Sequence, residues 1–157
     1  MSSLNRQWRY GFTASLFVLL PVIGLSAIQL GDDCEDEAIA YSKSIPTDPI
    51  SRLQKKIDSG EVKLAHNDRN GYLPAVLKAL GIPLSSQTLV FSKTSFQRQR
   101  IAPRTPRALY FNDDVYVGYC QNGEVLEISA VDPVLGTVFY SLDQDETDHP
   151  KFLRHTD

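Results

Sequence analysis

Between Lys93 and Arg107 the chain carries five cations, Lys93, Arg98, Arg100, Arg104 and Arg107, with no acidic residue anywhere between Asp68 and Asp113. A guanidinium offers a planar fork of donors that matches carboxylate and phosphate oxygens. The run SKTSFQRQRIAPRTPR is therefore the first candidate for an anion-binding or partner-binding surface. Pro103 and Pro106 block a continuous helix and favour an ordered loop. The competing reading is a solvated loop whose arginines pair with Asp113, Asp114 or the acidic runs, at little gain in energy.

Other chemistry-bearing residues are sparse. Asp113 and Asp114 have the oxygen ligands for a hard cation, but Asp is equally an ordinary turn residue. Glu127 lies on an alternating strand and is expected to face solvent, with no second carboxylate or histidine spaced to pair with it. His66, His149 and His155 are the only histidines, and none stands in a metal-ligand spacing. Cys34 and Cys120 form no CxxC or CxxCH motif, so no metal site is expected. A bridge between them is permitted in an oxidising compartment, but nothing in the sequence brings the two together.

The elements that must position these residues begin with the N-terminus. From Tyr10 to Gly31 there is no charge; Arg6 and Arg9 precede the stretch, and Asp32, Asp33, Glu35, Asp36 and Glu37 follow or flank Cys34. That order predicts a cytoplasmic N-terminus and export of everything after it. The stretch is long enough for an uncleaved anchor, while Gly24 and Ser26 leave a cleavable signal peptide open. Location is then the inner membrane facing the periplasm, or the periplasm itself if the segment is removed. Hydrophobic residues make up 42% of the 157 and aromatics 10%, which suits a folded core. A pI near 5.6 excludes wholesale nucleic-acid binding.

Four parts are expected: 1–31 as anchor or signal, 32–46 as an acidic linker that could include a short helix from Asp33 to Ser44, 47–142 as the domain, and 143–157 as an acidic tail or linker. Asp48 as N-cap and Pro49 at the first helical position open a helix with Ile50, Leu53 and Ile57 on one face, closed by Gly60. A short strand is expected at Glu61 to Ala65, then a second helix from Tyr72 to Leu80, stopped by Gly81. From Thr88 the period becomes two. Strands are expected at Thr88–Phe91, Arg107–Phe111, Val115–Tyr119, around Leu126–Ala130 and at Thr137–Leu142. Asn122-Gly123 should form a type I′ hairpin turn, and Asp132 to Gly136 the last turn. The class is α+β: an antiparallel meander of four to five strands with both short helices on one face, preceded by the N-terminal transmembrane or signal helix.

The strings GYLPAVLKALGIP, LVFSKTSFQRQRIAPRTPRALYFNDDVYVG and LEISAVDPVLGTVFYSLDQ resemble a domain of large exported bacterial proteins that are c-type cytochrome-like, over about Thr47 to His155. In that family the domain precedes a haem-binding part. The resemblance implies an exported, membrane-tethered, non-catalytic domain of an electron-transfer system, with a haem-bearing domain or partner cytochrome as its partner. Haem c would belong to the wider assembly, since this chain has no CxxCH and so no cofactor of its own; a truncated N-terminal part is one reading. His66, His149 or His155 would then be candidate axial ligands. The family carries no established activity, so no catalytic residue follows from it. The alternative is an exported enzyme or ligand-binding domain with an anion site on the arginine-rich loop.

Overall fold

In the structure, a computed structural model that describes residues 39–156, helix α1 spans Pro49–Asp58 and starts where the sequence places it. Asp48 is its N-cap: Oδ1 accepts from the backbone N–H of Ile50 (2.7 Å) and Ser51 (3.0 Å), two of the donors a helix start leaves orphaned. Lys55 and Lys56 occupy the last turn, and Gly60, at φ 76°, ends it in a conformation that costs a side chain dearly. Helix α2 is shorter than expected, Leu73–Ala79, with Pro74 in its first turn and Gly81 at φ 65° beyond its end.

Six antiparallel strands form one sheet in chain order: β1 Thr88–Val90, β2 Arg107–Phe111, β3 Val115–Tyr119, β4 Val125–Asp132, β5 Gly136–Asp143 and β6 Phe152–His155. The meander is therefore one strand richer than the four to five expected. The sixth comes from the segment read as an acidic tail. Its polar approach, DQDETDHP, hides a four-residue strand in which Phe152 and Arg154 turn inward. Phe152 joins the core, its N–H donates to Gln54 Oε1 of α1 (2.8 Å), and Arg154 donates to the Ser44 carbonyl (2.7 Å). A guanidinium lying 4.7 Å over the Tyr41 ring completes that anchor.

One face of the sheet carries Tyr110, Val117, Ile128 and Tyr140 in register, with Ala108, Val115, Leu126, Ala130, Val138 and Leu142 beside them. Ile50 and Leu53 of α1 and Leu73, Val76 and Leu77 of α2 belong to the same core. Tyr140 donates its hydroxyl proton to Asp48 Oδ2 at 2.5 Å, so the fully buried cap residue ties α1 to β5. Burial pushes the Tyr140 hydroxyl far above the ordinary phenol range, and the hydrogen bond and charge of Asp48 push the same way.

Three local expectations are corrected. Glu61 to Ala65 forms no strand, although Leu64 is buried there: one inward side chain without a ladder partner does not make a sheet element. Around Asn122-Gly123 the turn sits one residue earlier. Gly123 N–H closes it on the Cys120 carbonyl (2.9 Å), and Asn122, at φ 55°, alone takes the left-handed position. Ile39 to Ser44 is turn, not helix, with Ser44 N–H donating to the Ala40 carbonyl (2.9 Å). The remainder of the expected acidic helix, and the anchor or signal segment 1–31, lie outside the described residues. Among the described residues no helix is long and apolar enough to cross a membrane.

Candidate functional site

Strand alternation that sends Ile128 into the core sends its neighbours to the other face, which no helix-borne core residue covers. Two rows cross that face in register. The first runs Leu109, Gly118, Glu127, Ser141 and Leu153; the second runs Phe111, Tyr116, Ser129, Phe139 and His155. Leu109, Gly118 and Glu127 of the first row and Tyr116, Ser129, Phe139 and His155 of the second bound, with Thr94, Ser95 and Phe96 of the loop after β1, a groove of about 610 Å³.

The floor of the groove is an ion pair. Arg107 leaves β2 on this face, passes over Gly118 and places Nη2 2.8 Å from Glu127 Oε2. Gly118 makes the crossing possible: a Cβ there would sit 2.3 Å from that same Nη2. Glu127 is only 8% exposed, so the expectation that it faces solvent is corrected. Its other oxygen accepts from the Ser95 hydroxyl (2.6 Å), while Arg107 Nη1 donates to the Thr94 carbonyl (3.2 Å). Arg107 Nε is buried without a hydrogen-bond partner. Pairing and hydrogen bonding are what make a buried carboxylate tolerable.

The loop is strapped down by the same groups. Gln97 Nε2 donates to the Val125 carbonyl (2.9 Å), and its Oε1 accepts from Glu124 N–H (2.7 Å). Gly123 has no side chain because that Gln97 oxygen would lie 2.4 Å from its Cβ. Arg100 reaches Glu124 at 2.6 Å. Among the described residues, the acids that relieve the arginines are thus Glu124 and Glu127 of the β3–β4 hairpin, not Asp113 or Asp114. Cys120, free and buried at the end of β3, has its thiol pushed up by burial and by Glu127, against the pull of Arg107 and Ser95. It is a poor nucleophile. Cys34 lies outside the described residues.

The five cations of the sequence therefore separate. Arg107 is committed to the groove floor and Arg100 to Glu124, whereas Lys93, Arg98 and Arg104 are exposed and enter no ion pair among the described residues. The histidines separate too. His66 Nε2 hydrogen-bonds the Gln144 carbonyl (2.9 Å) with its ring edge-on to Tyr72, and His149 is exposed. Only His155 reaches the groove, 3.0 Å from Ser141 Oγ and with its ring 4.9 Å from that of Phe96. Among the described residues no cluster of three or more His, Cys, Asp or Glu converges as a metal site would.

Sequence reasoning set Glu127 toward solvent and passed over Gly118 and the aromatic wall. Two signals were present: a glycine inside the strand VYVGY, which marks a close approach of another group, and the parity that puts Arg107 and Glu127 on one face. No family model, no curated protein and no solved structure matches this chain.

Proposed function

We propose that this is an exported, membrane-tethered, non-catalytic docking domain, which presents the open face of its sheet to a haem-bearing partner of a c-type electron-transfer system. The observation that carries the reading is the groove itself. Its rim is aromatic, with Phe139 53% and Phe96 70% exposed beside Tyr116 and His155, while its charged groups are already spent on one another. Exposed aromatic surface marks an interaction site, whereas a carboxylate held by Arg107 and Ser95 has no free base to offer. The resemblance to cytochrome-like exported proteins supports the choice of partner, and β6 runs along one wall of the groove.

The test uses a haem-bearing CxxCH peptide as probe. Titrated into the protein, it should perturb the amide resonances of β3, β5 and β6 and shift its own Soret band. Phe139→Ala with Tyr116→Ala should abolish both. Perturbation confined to the opposite face, or none at all, removes the reading. Export is checked separately by an alkaline-phosphatase fusion after Gly60, which should be active, whereas activity only of a cytoplasmic reporter at that point reverses the topology. A second reading, a small amphiphilic ligand, is favoured by the groove volume, which lies in the range of small-molecule sites. It predicts that a fragment screen, and not the haem peptide, perturbs the groove.

A further inference from the structure

The chain between the two helices is patterned like a strand and has no strand beside it. Along residues 62–66 exposure alternates: Val62 is half-buried, Lys63 exposed, Leu64 buried, Ala65 exposed and His66 half-buried. That is the period of two that a strand against a core imposes. Yet among the described residues the backbone N–H and carbonyl groups of Lys63, Leu64 and Ala65 enter no hydrogen bond. The nearest backbone bonds are Val62 N–H to the Lys56 carbonyl (3.1 Å) and Asn67 N–H to the Gly71 carbonyl (3.0 Å). A strand-patterned stretch with open backbone groups is a template for pairing with another chain.

Space for one lies alongside. A cleft of about 570 Å³ is bounded by this segment, α1 and α2, with Leu53, Leu64, Ala75 and Ala79 on its apolar wall. Its charged side chains are Lys56, Lys63 and Lys78, and no Asp or Glu lines it. Lys56 pairs with Glu61 (3.2 Å), whereas Lys63 and Lys78 enter no ion pair among the described residues. The same segment borders a second cleft, of about 460 Å³, where Glu146 and Asp148 stand beside Lys63. An acidic occupant is therefore suited to the helix side.

We infer that the helix-side cleft takes an extended peptide in which aliphatic and acidic side chains alternate, paired backbone to backbone with residues 63–65. Side chains directly opposite each other on paired strands share a face. The one opposite Leu64 then enters the apolar cleft, and an acid opposite Lys63 meets its cation. In strand addition of this kind main-chain bonds give affinity and alternate side chains give specificity. A small amphiphilic anion is the less fitting occupant, because it satisfies the apolar wall and the lysines but leaves the backbone groups open. The inference goes beyond the docking reading of the open sheet face. It shares no residue with that groove and stands if that reading fails.

The probe is a blocked hexapeptide alternating Glu and Val. Titrated into the protein, it should shift the amide resonances of residues 62–66 and of α2, and slow hydrogen exchange at residues 63–65. Two further probes carry N-methyl groups on the Glu or on the Val residues. One edge of a strand bonds through every second residue, so one of these should lose binding and the other keep it. Equal responses from the two, whether kept or lost, overturn the inference. Lys63→Glu should weaken the Glu–Val peptide about fivefold, by exchanging an exposed ion pair for a repulsion, and should admit a Lys–Val peptide that the wild type refuses. Ala79→Trp, which fills the cleft from an exposed position, should block the peptide while circular dichroism is unchanged. Absence of any shift at residues 62–66 overturns the inference, and shifts there with decanoate but not with the peptide overturn it in favour of an amphiphile.

Discussion

The two faces of the sheet solve the same problem in opposite ways. On the covered face, Ile128 and its neighbours are buried by two helices, and the polar groups present, Asp48 and Tyr140, serve to join those helices to the strands. On the open face a single loop lies across the strands, and what it covers is charge: Glu127 and Arg107, with Ser95 and Gln97 closing over them. Apolar side chains there stay outside, around the rim. Burial on one face is a packing event and on the other an electrostatic one, so substitutions should fail by different mechanisms.

The largest effect should come from Ile128→Ala, at about 2–5 kcal/mol, since it opens a cavity between β4 and the helices. Adjacent Glu127→Ala should cost about 3 kcal/mol by leaving the Arg107 cation largely buried and unpaired. Urea unfolding of the two variants, with Arg107→Met/Glu127→Leu as a third, separates the mechanisms. Removing both charges should restore most of the stability lost in Glu127→Ala, and no single partner change should rescue Ile128→Ala. Failure of that rescue would mean that the pair is not what holds the loop. Gly118→Ala should mimic the loss of the pair by displacing Arg107 from its path, and its effect should vanish in the double variant.

A smaller effect is expected where the two faces meet, at the β4–β5 turn. Buried Asp132 accepts from the backbone N–H of Val134 and Leu135 (2.9 Å each) and from Thr47 (N–H 2.5 Å, hydroxyl 3.1 Å). Burial alone would raise its carboxyl, but these bonds from Leu135, Thr47 and Val134 outweigh it and hold it down to about 2, against an ordinary 3.8. Asp132→Ala should cost about 1–3 kcal/mol, the penalty of leaving such donors unsatisfied. The unfolded chain takes up this proton first, so the contribution is complete above the ordinary value and is lost as pH falls through about 4 towards 2. The stability gap between wild type and Asp132→Ala should close over that window; a gap independent of pH would show that the neutral acid serves equally well.

The smallest effect on stability belongs to the rim. Phe139→Ala should change unfolding by no more than about 0.5 kcal/mol, as exposed positions do, while weakening the haem-peptide response that the double change with Tyr116→Ala abolishes. A large loss of stability there would turn the open face into part of the core and dissolve the contrast.

Both helix starts, five of the strands and the last turn were legible because each rests on local chemistry. Asp48-Pro49 sets a helix start because an apolar face of helical period follows it, a period of two marks the strands, and Gly81 needs no distant partner to stop a helix. Strand β6 was not legible. Four residues after a polar run carry almost no periodic signal, and Phe152 reads as core only once Gln54 and β5 lie beside it.

The candidate site divides along the same line. The sequence by itself determined that the cations crowd into one loop, that prolines keep it from becoming a helix, and that Arg107 and Glu127 occupy like positions on their strands. Only the tertiary structure decided which cations are spent and which are free. The choice rests on a register that sets Gly118 between Arg107 and Glu127, and on a loop that brings Ser95 and Gln97 onto the same carboxylate and hairpin. Pairing across a sheet depends on which residues stand opposite one another, and that is a property of the folded ladder that no local stretch of chain encodes.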